Sequence, residues 1–187
     1  RMRNARKLYL TMSRLNSFFP KLSPAALALL LIAALTLLPF LGLTDFNTKG
    51  EPREAIVAQT MLQTGNWVLP GNNGGEFAYK PPLFHWAVAV FSLPAGDVSE
   101  FSSRLPSALA AIVLALATFS FFSRRRDETV GFLTALVLLT SFEVHRAAMN
   151  CRVDMLLTMF IVLALYSVLD WCGRGLRGFP LWAAVMM

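Results

Sequence analysis

Residues 22–44, LSPAALALLLIAALTLLPFLGLT, form a stretch that contains no charged residue. At about 1.5 Å of rise per residue, it is long enough for a helix that crosses the roughly 30 Å hydrocarbon core of a bilayer. Its apolar core is too long for a signal peptide, and it lacks the small-residue cleavage pattern that marks one. The stretch therefore predicts a membrane-spanning helix that stays in the mature protein.

The composition indicates that most of the chain has the same character. Hydrophobic residues make up 56% of the 187 residues and charged residues 15%, whereas soluble domains average about 25% charged residues. The net charge of +6 lies largely in short basic segments beside apolar runs, where such residues orient spans and contact anionic lipids. The sequence therefore predicts an all-α membrane protein with membrane lipids, and not nucleic acid, as partners. Protein partners are left open.

Basic residues predict the orientation of the spans. Six Lys or Arg residues precede the first span, and residues 124–126 are three consecutive arginines. Because cytoplasmic loops are enriched in Lys and Arg, we expect a multi-pass protein of the inner (plasma) membrane with a cytoplasmic N-terminus. The chain lacks an initiator Met and stops within an apolar run, so we expect a fragment of a longer protein. The predicted segments are a basic N-terminus (1–22) and a transmembrane domain (23–187) with spans at 23–44, 105–123, 129–150, 153–171 and 179–187, and an outer loop at 45–104.

The outer loop, residues 45–104, begins with a predicted helix over about residues 51–64. Pro52 suits the first turn of a helix, and apolar residues then recur at a spacing of three to four. Gly65 is a natural helix end. The Gly/Asn-rich segment 71–75 predicts a tight turn after it.

The uncharged run at residues 81–96 predicts a second helix that does not cross the membrane. It begins with Pro-Pro and is short for a crossing. If it were a span, the arginines at residues 124–126 would lie outside, against the positive-inside rule. We therefore predict an amphipathic helix along the membrane interface, with His85 and Trp86 at the depth of the lipid head groups.

Four motifs between residues 51 and 108 carry a family resemblance, which covers about residues 44–154. The pattern E-P-R-x-A, M-x-x-T-G-N-W-x-x-P, Y-K-P-P-L-x-x-W and S-R-L-P-S-A resembles the lipid-dependent membrane glycosyltransferases. Among these, it is similar to the aminoarabinose transferases that modify lipid A in the cell envelope and to the wider protein O-mannosyltransferase-like superfamily. The resemblance implies a GT-C-type multi-helix transmembrane bundle with juxtamembrane helices in the first outer loop. It also implies an extracytoplasmic site that uses a polyprenyl-phosphate-linked sugar donor, with lipid A, another glycan or a protein as acceptor.

The chain departs from the pattern of this family at two positions. Family members usually carry Asp-Glu where this chain has Gly50 and Glu51, and that Asp is the presumed catalytic base. Relatives that modify lipid A often have Glu before Lys-Pro-Pro, where this chain has Tyr79. A divalent metal ion as cofactor is therefore left open.

The chemistry of glycosyl transfer selects the candidate site residues. Transfer from a lipid phosphate requires a carboxylate that takes the proton of the acceptor and cations that hold the phosphate leaving group. Asp45 and Glu51 are the first carboxylates after the first span, and we predict Asp45 as the base with Glu51 in support. Lys80, next to a rigid Pro-Pro, is the predicted phosphate-binding residue, and Arg53 and Arg104 are further candidates.

A second polar cluster is predicted at the outer ends of the third and fourth spans. It contains Glu143, His145, Arg146, Arg152 and Asp154. Charges at this depth are costly unless they are paired or hydrated. Asp154 is therefore a candidate either for binding substrate or for bracing the outer loop through ion pairs.

Two classes of protein without transferase activity compete with this prediction, a transporter and a non-catalytic polytopic membrane protein. A transporter places polar groups near the middle of the bilayer, in broken helices. The middles of the first, second and fourth predicted spans carry no charge, which favours the transferase.

Overall fold

In a computed structural model, the chain folds into a series of α-helices. The structure describes residues 23–72, 78 and 80–173. Within these ranges every regular element is helical, which confirms the all-α prediction. The predicted basic N-terminus at 1–22 and the fifth span at 179–187 lie outside the described residues. The helices are α1 (Pro24–Leu37), α2 (Gly50–Thr64), α3 (Leu83–Ser92), α4 (Glu100–Arg125), α5 (Glu128–Thr140), α6 (Phe142–Ala148) and α7 (Val153–Gly173).

Two of these helices, α4 and α7, are by themselves long and apolar enough to cross a membrane. They contain 26 and 21 residues, so each extends over about 30 Å or more. The first predicted span, residues 23–44, is helical over a shorter length, because α1 ends at Leu37 and continues only as a 3-10 turn, Leu38–Phe40. Pro39 explains this ending, since it lacks the N–H that an α-helix needs.

The predicted third span, residues 129–150, is not one continuous helix. It consists of α5 and α6, whose axes are bent by 68° at Ser141, a residue with extended backbone angles. The break separates the apolar α5 from a helix that carries Glu143, His145 and Arg146. Charged side chains inside the hydrocarbon are costly. The bend turns the charged residues of α6 away from the axis of α5, and this explains why the predicted span is not one straight helix.

The two helices predicted in the outer loop are confirmed as α2 and α3. Pro52 lies in the first turn of α2, and Gly65 ends this helix in the left-handed conformation (φ 68°), with its N–H donating to Met61 O. At this backbone angle glycine is the residue without steric cost. The helix α3 begins directly after Pro82 and spans 10 residues, about 15 Å, which is too short to cross a bilayer.

The chain divides into two compact units, of which the first comprises Ala34–Ala111 and Phe142–Phe160. Here α2 and α3 pack against each other. Gln59 connects α2 to the loop that follows α3, because its Nε2 donates to Asp97 Oδ1 and its Oε1 accepts from the N–H of Val98, each at 2.8 Å. All candidate site residues belong to this unit. Its buried apolar core is formed by Ala55, Val57, Ala58, Met61, Phe84, Val88, Ala89 and Cys151.

The described residues of the second unit are 23–33, Ile112–Ser141 and 161–173. Within its described residues, Arg125 at the end of α4 pairs with Asp170 of α7 at 2.8 Å and lies over the ring of Phe121. Phe121 also stacks on Tyr166. The side chain of Asp127 caps α5 by accepting the N–H of Val130. These contacts are structural.

Candidate active site

Glu51 is the centre of a buried hydrogen-bond network and not a solvated residue at a helix end. Its Oε1 accepts hydrogen bonds from Arg104 Nε at 2.9 Å and from the backbone N–H of Cys151 at 3.0 Å, and its Oε2 accepts from the N–H of Asn47 at 2.9 Å. Burial alone raises the pKa of Glu51, but the bonds from Arg104, Cys151 and Asn47 outweigh it, and the pKa lies below its ordinary value of 4.5. Glu51 therefore stays ionised and joins four segments of the chain.

Arg104, near the start of α4, uses its whole guanidinium group within the protein. In addition to Glu51, it donates from Nη1 to the carbonyl oxygens of Leu41 and Thr44, at 2.8 and 2.7 Å, and from Nη2 to the carbonyl oxygen of Asp45 at 2.9 Å. Its exposed fraction is 2%. These bonds fix the backbone that carries Asp45, so the contacts favour a positioning role for Arg104 over direct contact with substrate.

Breaking this network has a large expected cost. We expect Glu51→Gln to lower the free energy of unfolding by about 3–5 kcal/mol, because it leaves Arg104 buried without a counter-charge. Since the folded pKa of Glu51 is depressed, its stabilisation is present above pH 4.5 and is lost as the pH falls through the folded value. Thermal unfolding of the full-length protein in detergent, between about pH 3 and 7, measures both effects.

The matched control is Glu128→Gln, which removes an exposed carboxylate from the first turn of α5. This variant should change the free energy of unfolding by less than about 1 kcal/mol, the scale of helix-dipole effects at exposed positions. A Glu51→Gln protein that unfolds at the wild-type temperature, with unchanged acid sensitivity, would contradict the structural role of Glu51.

A second cluster lies on α2 and α3 around the carboxylate of Glu54, which is 2% exposed. Oε1 accepts a hydrogen bond from Lys80 Nζ, and Oε2 bonds His85 Nε2 at 2.8 Å. Arg53 Nη2 lies 3.7 Å from Oε1. Burial raises the pKa of Glu54, but the hydrogen bonds with His85 and Lys80 and their charges outweigh it, and the net pKa is lowered. The carboxylate is therefore ionised and holds the predicted phosphate-binding lysine.

Glu54 and His85 are the two residues of this cluster that were not among the predicted site residues. The predicted position of His85 at head-group depth stays a prediction; the structure shows that its side chain is 1% exposed. A helical-spacing signal was available for both residues. Glu54 is four and seven residues before the buried Ala58 and Met61, and His85 is three residues before the buried Val88, so both lie on the buried faces of their helices.

Asp45 differs from Glu51 in that its side chain is exposed. Its carbonyl oxygen accepts a hydrogen bond from Arg104, and its carboxylate accepts none from the part of the chain that the structure describes. The structure thus places one predicted carboxylate at the surface and the other in the buried network. Arg104 contacts both residues, through the carboxylate of Glu51 and the carbonyl oxygen of Asp45, and the predicted catalytic roles of the two carboxylates stay predictions.

Gly50, the position at which family members usually carry Asp, faces Arg152. A Cβ at Gly50 would lie 4.0 Å from Arg152 Nε, so an acidic side chain there would reach the guanidinium. In this chain Arg152 Nε pairs with Asp154 Oδ2 at 3.0 Å. Asp154 therefore places a carboxylate beside Arg152, where an Asp at position 50 would place one in the Asp-Glu form of the motif.

Four of the five residues of the second polar cluster, all except His145, line a cavity of about 300 Å³ at the α6–α7 corner. Glu143 and Arg146 pair on one side of it, at 2.7 Å, and Arg152 pairs with Asp154. The mixture of guanidinium, carboxylate, amide and hydroxyl groups suits a ligand that both donates and accepts hydrogen bonds. The lining residues are Glu143, Val144, Arg146, Ala147, Asn150, Arg152, Asp154, Met155 and Thr158.

The described part of the candidate active site does not provide the ligands for a metal ion that is bound by protein groups alone. Among the described residues, no group of three or more His, Cys, Asp or Glu side chains converges on one point. Glu54 and His85 meet, but Lys80 occupies the free side of the carboxylate. Burial raises the pKa of the Cys151 thiol to about 12, so this residue is a protonated part of the core and not a ligand.

The architecture is that of a GT-C membrane glycosyltransferase. The chain is similar to the solved structure of ArnT from Cupriavidus metallidurans bound to undecaprenyl phosphate, with a TM-score of 0.69 and 23% identity, over 75% of this chain and 26% of that chain. This similarity confirms the predicted fold. The chain belongs to the family described as dolichyl-phosphate-mannose-protein mannosyltransferase, whose model matches residues 79–187.

Curated relatives carry a more specific name. The chain is 30% identical over 144 residues to the undecaprenyl phosphate-alpha-4-amino-4-deoxy-L-arabinose arabinosyl transferase of Shewanella sediminis, which covers 77% of this chain and 26% of that protein. Proteins of the same name from Enterobacter sp. and Pseudomonas savastanoi are 27% and 30% identical, and cover 81% and 83% of this chain. The chain thus spans about a quarter to a third of the length of these relatives.

Proposed function

We propose that the protein containing this chain transfers a sugar from a polyprenyl-phosphate-linked donor to an extracytoplasmic acceptor such as lipid A, another glycan or a protein. The observation that carries the proposal is the side chain of Lys80, just before α3, which is partly exposed and whose ammonium group is anchored on the buried carboxylate of Glu54 in α2. The names of the similar proteins, which refer to undecaprenyl phosphate, support this donor class.

In this proposal, Lys80 binds the phosphate of the donor. Its side chain is 25% exposed, so part of it is accessible at the surface of the unit. Arg53, with 44% exposure, is the second cation, whereas Arg104 acts by holding the backbone of Asp45. Both exposed cations favour the charge that accumulates on the phosphate oxygens as the bond to the sugar breaks.

The transfer step itself needs a base. The acceptor hydroxyl forms a bond to the anomeric carbon, the bond from that carbon to the phosphate oxygen breaks, and polyprenyl phosphate leaves. We assign the hydroxyl proton to Asp45, because its carboxylate is exposed and accepts no hydrogen bond from the described residues, whereas the oxygens of Glu51 are already occupied. Asp154, on the cavity wall, is the competing candidate.

The cavity at the α6–α7 corner is the proposed place for a sugar ring. Its volume of about 300 Å³ is at the lower end of the range of small-molecule sites. Asp154 and Arg152 supply an acceptor and donors for sugar hydroxyl or amino groups. In this proposal Asp154 binds substrate, as predicted from the sequence, and the part of the substrate that it binds is the sugar ring.

The experiment that tests the function is an assay of the full-length protein in liposomes with a panel of polyprenyl-phosphate-linked sugars. A transferase cleaves the donor and releases polyprenyl phosphate. A transporter would instead move an intact solute across the membrane of sealed vesicles. A folded protein that cleaves none of the donors, in the presence of candidate acceptors, would contradict the proposal.

The proposed site is extracytoplasmic, and cysteine labelling in intact cells tests this orientation. In a Cys172→Ser background, which removes the exposed native thiol, Gln63→Cys should react with a membrane-impermeant reagent, and Thr129→Cys should not. Both positions are exposed. Labelling at Thr129→Cys without labelling at Gln63→Cys would reverse the topology. Asn73, in the Gly/Asn-rich turn, would be another labelling position, but it lies outside the described residues.

A further inference from the structure

Glu54 and His85 are buried polar residues for which the transfer step described above has no direct use. They are 2% and 1% exposed and lie within the apolar contacts of α2 and α3. A carboxylate in such a position is unfavourable unless it is paired and hydrogen-bonded. Apolar side chains would suit the same faces, as Ala58 and Val88 show, so the presence of the pair points to a role beyond packing.

The hydrogen bonds of this pair form a chain from the core to the surface. An ionised carboxylate can only accept hydrogen bonds, so His85 Nε2 donates to Glu54 Oε2, at 2.8 Å. The other oxygen, Oε1, accepts from Lys80 Nζ. The ring of His85 is fixed by the packing of α3, and its Nδ1 has no hydrogen-bond partner among the described residues. His85 therefore orients the carboxylate of Glu54, and this carboxylate orients the ammonium group of Lys80.

We propose that Glu54 is a positioning residue which, held by His85, fixes the ammonium group of Lys80 where it meets the phosphate of the lipid donor. This inference rests on the proposed function. A lysine ammonium carries three donors, so one hydrogen bond to Glu54 leaves two for phosphate oxygens. A lysine that is ordered before the ligand arrives loses less conformational freedom on binding, and this raises affinity.

The charge of the cluster agrees with binding of an anion. Lys80 and Arg53 contribute two positive charges, and Glu54 contributes one negative charge. Without counting His85, the net charge is therefore +1.

A double-mutant cycle on the full-length protein tests the inference, with the Kd for polyprenyl phosphate in nanodiscs as the measured quantity. If Glu54 acts through Lys80, Glu54→Gln should raise the Kd about 10-fold in the wild-type background and leave it unchanged in a Lys80→Ala background. An unchanged or lower Kd for Glu54→Gln, or an equal rise of the Kd in both backgrounds, would overturn the positioning role of Glu54 and leave the proposed function standing. If the wild-type protein does not bind polyprenyl phosphate, the proposed function fails, and this inference fails with it.

Two variants of His85 keep the test valid if Glu54→Gln does not fold. His85→Gln retains an N–H donor that can reach Glu54, and His85→Leu removes it while keeping an apolar side chain in the core. We expect the Leu variant to raise the Kd about 10-fold and the Gln variant to stay within about 3-fold of wild type. A role in packing alone would lower the melting temperature of both variants and leave the Kd of the folded protein equal in the two, which would contradict the inference.

Discussion

Asp45→Asn is expected to lower the turnover of the full-length protein by about 10²-fold or more, the usual contribution of a general base. The substitution keeps the shape of the side chain and removes its ability to accept a proton. The backbone of residue 45 is fixed by Arg104 through its carbonyl oxygen, and this bond does not depend on the side chain. Folding should therefore be unaffected, and single-turnover transfer from the lipid-linked donor measures the chemical step.

Asp154→Asn is the comparison that assigns the base. If Asp45 is the base and Asp154 binds the sugar, Asp154→Asn should raise the KM for the donor more than it lowers kcat. Full turnover in Asp45→Asn, together with a loss of kcat in Asp154→Asn, would transfer the role of base to the cavity carboxylate. Glu51 would be the base only if Glu51→Gln lowered the turnover by a larger factor than it lowered the amount of folded protein.

Lys80→Ala should lower transfer by about 10²–10³-fold, the cost of removing one preorganised donor to a developing negative charge. It also leaves Glu54 with one fewer partner, but His85 still bonds its Oε2, so the protein should fold. The matched control is Lys49→Ala, which removes an exposed lysine just before α2. Near-normal transfer by Lys80→Ala, at wild-type levels of folded protein, would exclude Lys80 from the site.

The elements of the first outer loop could be predicted because their signals are local. Pro52 and Gly65 mark the two ends of α2 in the sequence itself, and the backbone of Gly65 needs the conformation that glycine allows. The Pro-Pro before α3 and the short apolar run that follows it settle the extent of that helix in the same way. Such signals depend on neighbouring residues and not on the rest of the fold.

The partners of the charged residues could not be predicted, because they are distant in the sequence. Glu51 and Arg104 are separated by 53 residues, and Glu54 and His85 by 31. Whether a carboxylate near a helix start is solvated or buried depends on which side chains the fold brings to it. The sequence therefore predicts Glu51 as a supporting catalytic group without its partner, and the structure adds that Glu51 forms a buried ion pair with Arg104.

The bend at Ser141 was missed for a related reason. An apolar run followed by Glu143 and Arg146 is compatible with a helix that ends at the membrane surface and with one that breaks. The sequence contains no proline or glycine at the break, so the usual local signal is absent. The extended conformation of Ser141 becomes evident only from the three-dimensional structure.

The central claim is that residues 45–104 carry the site for the phosphate of a lipid-linked donor. Photo-crosslinking tests it most directly, using the full-length protein and a polyprenyl phosphate with a photoreactive group on its first isoprene unit. Mass spectrometry should locate crosslinks in peptides from residues 45–104, and these should be competed by unmodified polyprenyl phosphate and lost in Lys80→Ala. Crosslinks that are competed in the same way but lie only outside residues 45–104 would contradict the account.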